Sequence, residues 1–215
     1  MSTTSRDAVT TFVGVPVRAQ TYRNLLYLVL AFPLGLAYFV ILSVGFSLGI
    51  GMAITVFGVP ILVATLVVAV VLTNLEGELA NRLLRTNVRT RSPDTSRSLI
   101  RSVKRLVTDA QTWLDVIYLV GKFAFGVVSF AALATLLSIS LALLAAPLTY
   151  SSAYYIGSHF GTVSVGLFES GRLVVDTLGE AVIVAVVGLV LTLVSLHLLN
   201  GLARGAGVAT EKLLN

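Results

Sequence analysis

Asn24–Leu75 reads NLLYLVLAFPLGLAYFVILSVGFSLGIGMAITVFGVPILVATLVVAVVLTNL, 52 residues without one charged side chain. As a single helix it would be roughly 78 Å long at ~1.5 Å per residue. That exceeds two crossings of a ~30 Å hydrocarbon core. Gly49, Gly51 and Gly58, with Pro60 behind them, supply a turn in the middle, so the stretch reads as a membrane hairpin. The first crossing is placed at about 24–48, with a kink at Pro33, whose ring removes one backbone hydrogen bond and crowds the preceding turn. The second crosses at about 60–73, with Pro60 in its first turn. It continues as an amphipathic end in which Leu75, Leu79 and Leu83 form the apolar stripe and Glu78 faces Arg82.

The rest of the chain repeats this character. Charge is absent from 123–168 and again from 181–203. A third helix is expected after Asp109, ending near Pro147, and a fourth over 181–199, ending in the glycines of 201–207. Charged residues are only 12% of the chain, about half the share of an ordinary soluble domain, and mean hydropathy is +0.95. A soluble fold is excluded. The fold class is an all-α membrane protein with four transmembrane helices.

The second half copies the first. At a spacing of 91, Thr21-Tyr22 answers Thr112-Trp113, Tyr27-Leu28 answers Tyr118-Leu119, and Phe32, Gly35 and Phe39 answer Phe123, Gly126 and Phe130. For the later helix of each half, Gly58 with Gly188 and Leu83-Leu84 with Leu213-Leu214 give a spacing near 130. The halves are therefore read as two tandem, parallel two-helix repeats, with a pseudo-axis along the membrane normal. The organisation is a tail over 1–20, a first repeat over 21–86, a basic amphipathic linker over 87–111, and a second repeat over 112–215 that contains a long loop at 149–180.

Net charge is +5, and eight basic residues fall within 74–112, among them Arg97, Arg101, Lys104 and Arg105. Positive residues mark the cytoplasmic side. The tail, the linker and both termini are placed there, and 149–180 outside, in a multi-pass protein of the cell membrane. The tail lacks the apolar core of a secretory signal. The linker's bases suit the anionic inner leaflet or a cytoplasmic partner, and nucleic acid is not expected. Tyr22, Tyr27, Trp113 and Tyr118 suit an interfacial aromatic belt.

The chemistry is sparse. There is no cysteine, and His159 and His197 fall near opposite membrane faces, so no metal or other cofactor is expected. Gly45-Phe46-Ser47-Leu48-Gly49 matches G-x-S-x-G, but it ends an uncharged membrane helix rather than a strand-to-helix turn. No enzyme activity is expected. The notable charges are Asp115 and Lys122, seven residues apart and too distant to pair directly. Lys122 is either an intramembrane charge that needs a partner or a headgroup anchor. A ligand from outside would meet Tyr150, Tyr154, Tyr155, His159 and Phe160 in the outer loop.

The openings T-[YW]-x-x-[LV]-[LI]-Y-L, followed by F-P-L-G or F-A-F-G, with a helix running into a Leu- and base-containing end, resemble a sensor-domain family. Its members occur at the N-terminus of some bacterial and archaeal sensor histidine kinases and as stand-alone membrane proteins. The resemblance covers about 20–214. The second copy departs from the first at Ala124 and Leu114, where the first has Pro33 and Arg23. The resemblance implies a sensor that relays a stimulus to a cytoplasmic signalling partner or acts as a homo-oligomer, and it supplies no catalytic residues. A small permease or transporter subunit, and a structural subunit of a membrane assembly, are the alternatives.

Overall fold

The computed structural model describes residues 14–89, 106–149, 168–169, 172–173 and 177–214. Four long helices dominate: α1 (Ala19–Gly51), α2 (Gly58–Leu84), α3 (Ala110–Leu144) and α4 (Leu178–Leu214). A 3-10 turn at Val15–Val17 precedes α1, and a four-residue helix, Ala146–Thr149, follows α3. A two-residue antiparallel ladder pairs β1 (Phe168–Glu169) with β2 (Arg172–Leu173). All four long helices are long and apolar enough to cross a membrane. Their outward faces carry exposed Val40, Val44, Val67, Ile117, Val128, Ile183 and Val190, a coat that only hydrocarbon solvates without cost. The protein is a multi-pass membrane protein.

The helices outrun their expected bounds. α1 passes unbroken through Pro33. α4 continues through Gly201, Gly205 and Gly207 to Leu214, where the sequence suggested an end. Glycine is tolerated in membrane-spanning helices, where it allows close packing. α4 opens with a capping box: the Glu180 amide donates to Thr177 Oγ1 at 3.3 Å and the Thr177 amide to Glu180 Oε2 at 3.2 Å. α2 ends at Arg85 in the left-handed conformation, φ 58°.

Contacts group the chain into two compact units. One contains 1–18 and 132–198, the other 19–131 and 199–215. In the first, Leu143, Ala146, Ala181 and Val184 form a small core, and Ser140 and Ser195 meet at 3.4 Å. In the second, α1 and α2 close a hairpin in which Gly45 lies against Thr65 and Gly49 against Leu62. The small-residue pair in the G-x-S-x-G stretch thus serves helix packing, inside α1.

The same contacts recur at the two spacings. Gln20 Nε2 donates to the Leu83 carbonyl at 2.8 Å, and Gln111 Nε2 to the Leu213 carbonyl at 3.0 Å. Gly58 lies against Met52 and Ala53, and Gly188 against Leu143 and Leu144. Gly77 faces Leu214, and Gly207 faces Leu84.

The direction of the packing departs from expectation. Phe32 stacks on Phe130 (centroids 5.2 Å apart), Phe39 on Phe123 (4.8 Å) and Phe46 on Trp113 (6.4 Å). Numbers rise on α1 as they fall on α3, so the two helices cross in opposed directions rather than side by side as in a parallel repeat. The crossing is tight because Gly35 and Gly126 offer no Cβ. A Cβ on Gly35 would lie 2.8 Å from the Lys122 carbonyl oxygen, and one on Gly126 would overlap Ala31.

Candidate functional site: a buried ion pair where the helices cross

In lipid, a helix gains little by turning leucine toward its neighbours, because acyl chains solvate leucine equally well. α2 follows this logic. Toward its C-terminal half the buried face is Ala69, Val70, Thr73, Glu76, Gly77 and Ala80, with Leu66 a turn earlier. Of the expected leucine stripe, Leu75 is exposed while Leu79 and Leu83 are half-buried. The Glu78–Arg82 pair forms on the exposed side, as its spacing predicts.

Glu76 therefore points inward and is fully buried. Lys122 of α3, 5% exposed, pairs with Glu76 Oε1 and also donates to the Tyr27 hydroxyl. Tyr27 donates to Glu76 Oε1 at 3.1 Å and Tyr38 to Oε2 at 3.3 Å, so each carboxylate oxygen accepts from a phenol. The ammonium lies 4.0 Å from the centre of the Tyr27 ring and 5.7 Å from that of Phe125, distances at which ring faces attract a cation. Beside them, the hydroxyls of Tyr118 and Thr210 meet at 2.9 Å. Thr210 already donates to the Ala206 carbonyl at 2.9 Å, so Tyr118 is the donor.

A second polar ladder ties α1 to α4. Asn24 Nδ2 donates to Asn200 Oδ1 at 2.7 Å, Asn200 Nδ2 to Thr21 Oγ1 at 3.2 Å, and Gln20 Nε2 to Asn24 Oδ1 at 2.9 Å. Amide pairs of this kind hold helices together where no water competes.

Lys122, read from the sequence as either an intramembrane charge or a headgroup anchor, is buried and paired. Asp115 is buried too, 4% exposed, and lines a cavity of about 20 Å³ with Thr73, Asn74, Arg89 and Gln111. Tyr22 and Trp113 are exposed, as an interfacial belt requires, but Tyr27 and Tyr118 are buried. Each buried tyrosine lies five positions beyond its exposed partner, which turns it to the other side of the helix. His197 Nδ1 lies 2.8 Å from the Leu193 carbonyl, and no metal-holding group of side chains occurs among the described residues. Tyr150, Tyr154, Tyr155, His159 and Phe160, and the basic Arg97, Arg101, Lys104 and Arg105, lie outside the described residues.

Glu76, Tyr38, Asn24 and Thr210 were not singled out by sequence. A signal for Glu76 was present: it lies three or four positions from the small residues Thr73 and Ala80, on the face that packs.

The fold and site define a multi-pass α-helical membrane protein whose ionisable core is satisfied by its own helices. The family described as "Putative sensor" matches residues 27–214, and the chain belongs to that family, whose description points to a sensing role. No curated protein and no solved structure matches it.

Proposed function

We propose that the protein is an integral membrane sensor with no catalytic activity of its own, and that the Glu76–Lys122 pair is the element its stimulus acts on. The pair is the observation that carries this reading. A buried ion pair is a weak source of stability, since desolvation offsets most of the attraction, and ionisable residues within membrane spans mark function more often than architecture. It bridges α2 and α3, one helix from each copy, so a stimulus that binds one packing better than another shifts the crossing by that difference in affinity. The shift passes along α2 to the basic linker, 87–111, and to a cytoplasmic partner.

The contacts recurring at spacings of 91 and 130 support a duplicated two-helix unit. The basic residues favour a cytoplasmic linker, but the opposed crossing sets the starts of α1 and α3 toward opposite faces, so one side for both termini is not part of the proposal. The outer loop with Tyr154 and Tyr155 is the proposed entrance for a stimulus. The test uses the chain in liposomes, with cysteines introduced on α2 and α3 for distance measurement; the protein has none of its own. Varying acyl-chain length should shift the α2–α3 distance, and Glu76→Gln should abolish the response. Distances unmoved by bilayer composition, or moved equally in the variant, count against the reading.

A small permease or transporter subunit is the second reading, favoured by the same intramembrane charges. Solute flux in liposomes, lost in Lys122→Ala, would select it.

A further inference from the structure

The first residues after α2 do not leave the bundle. Arg85 takes the left-handed conformation and turns the chain back along the helix it has just left. Asn81 then holds the returning strand with three hydrogen bonds. Its Nδ2 donates to the Val88 carbonyl at 2.8 Å, and its Oδ1 accepts from the Val88 amide at 2.8 Å and from Thr86 Oγ1 at 2.9 Å. One side chain thus satisfies both main-chain groups of a single residue, as a neighbouring β-strand would.

Two glycines make room for the returning strand. A Cβ on Gly77 would stand 2.9 Å from Val88 Cγ1, and one on Gly207 of α4 would stand 3.0 Å from Thr86 Cγ2. Val88 is consequently 6% exposed. It and Arg89 form part of the wall of the small cavity that Asp115, Thr73, Asn74 and Gln111 line. Thr73 Oγ1 is buried there without a hydrogen-bond partner among the described residues.

From these observations we propose that Arg85–Arg89 is a strap, with Asn81 as its catch, that fastens the start of the basic linker to the bundle and closes the cavity beneath it. The strap touches α2 directly and α4 through Gly207. A change in the α2–α4 packing therefore loosens the strap and changes where the linker departs. The inference concerns this contact alone and needs neither a known stimulus nor a partner.

The experiment is cysteine accessibility in the full chain, in detergent micelles and in liposomes. Val88→Cys should react with a maleimide at least tenfold more slowly than Ile54→Cys, whose position is 99% exposed. Adding Asn81→Ala should raise the Val88→Cys rate about tenfold while Ala69→Cys, in the fully buried core, stays unreactive. If Asn81→Ala exposes Ala69→Cys as well, the milder Thr86→Val, which removes one bond of the three, must raise the Val88→Cys rate alone. The proposal is overturned if Val88→Cys reacts as fast as Ile54→Cys without Asn81→Ala. It is equally overturned if the rate is unchanged by Asn81→Ala in a folded chain, or by Thr86→Val where Asn81→Ala unfolds it.

Discussion

At spacings of 91 and 130, the two halves of the chain share glycines, glutamine clasps and tyrosines, yet among the described residues only one arrangement of them carries a buried ion pair. The residue matching Lys122 at a spacing of 91 is Ala31, and the residue matching Glu76 at 130 is Ala206. Both alanines are buried. The shared residues fix how closely helices approach. The unshared ones introduce a single ion pair into a scaffold that packs without one at the matching place. Charge here is an addition to the fold, not a requirement of it.

The largest expected effect comes from breaking the pair on one side. Lys122→Ala or Glu76→Ala leaves a buried charge unpartnered and should cost about 3–5 kcal/mol, read as loss of thermal stability in detergent. Removing both should cost less than the sum of the two. Moving the pair, with Ala31→Lys and Ala206→Glu added to the double variant, should recover part of that loss if the matching positions are equivalent in space. No recovery would limit the likeness of the copies to their glycines.

The glycines give the next effect. Gly35→Ala and Gly126→Ala place a methyl group against the backbone of the crossing helix and should cost about 1–3 kcal/mol by overpacking. Gly201→Ala and Gly205→Ala meet nothing within 4 Å, so they should be neutral or stabilise the helix by up to ~1 kcal/mol. Equal losses at all four positions would contradict the tight crossing.

The smallest effect is Tyr38→Phe. It removes one of the phenols that donate to Glu76 and should cost about 0.5–1 kcal/mol, the low end of a net hydrogen-bond contribution, because Tyr27 and Lys122 still hold the carboxylate. Melting unchanged from the parent chain would mean that the Tyr38 bond is not formed in the membrane.

Composition and periodicity made the four spans legible, since uncharged runs of this length have no other solvent than lipid. The repeat spacing also pointed to Gly35 and Gly126, which meet the opposite helix at matching places. What could not be read was which face of each helix packs. Leu75, Leu79 and Leu83 read as the apolar stripe of an amphipathic end, yet Leu75 is exposed and the other two only half-buried. In hydrocarbon the preference falls to Thr73, Gly77 and Ala80, and Glu76 travels with them. Lys122 was recognisable as costly, but its partner lies 46 residues earlier in the chain, and nothing local links them. The opposed crossing was equally hidden, because a repeat records which residues correspond and not the direction in which they meet.

The claim that the ion pair holds α2 and α3 in one packing, and is what a stimulus would act on, is tested most directly by the distance between spin labels on Val67→Cys of α2 and Val120→Cys of α3, both exposed positions, in liposomes. A single narrow distribution is predicted with Glu76 and Lys122 intact, and a second, separate population with Glu76→Gln. Identical distributions with and without the carboxylate would contradict it.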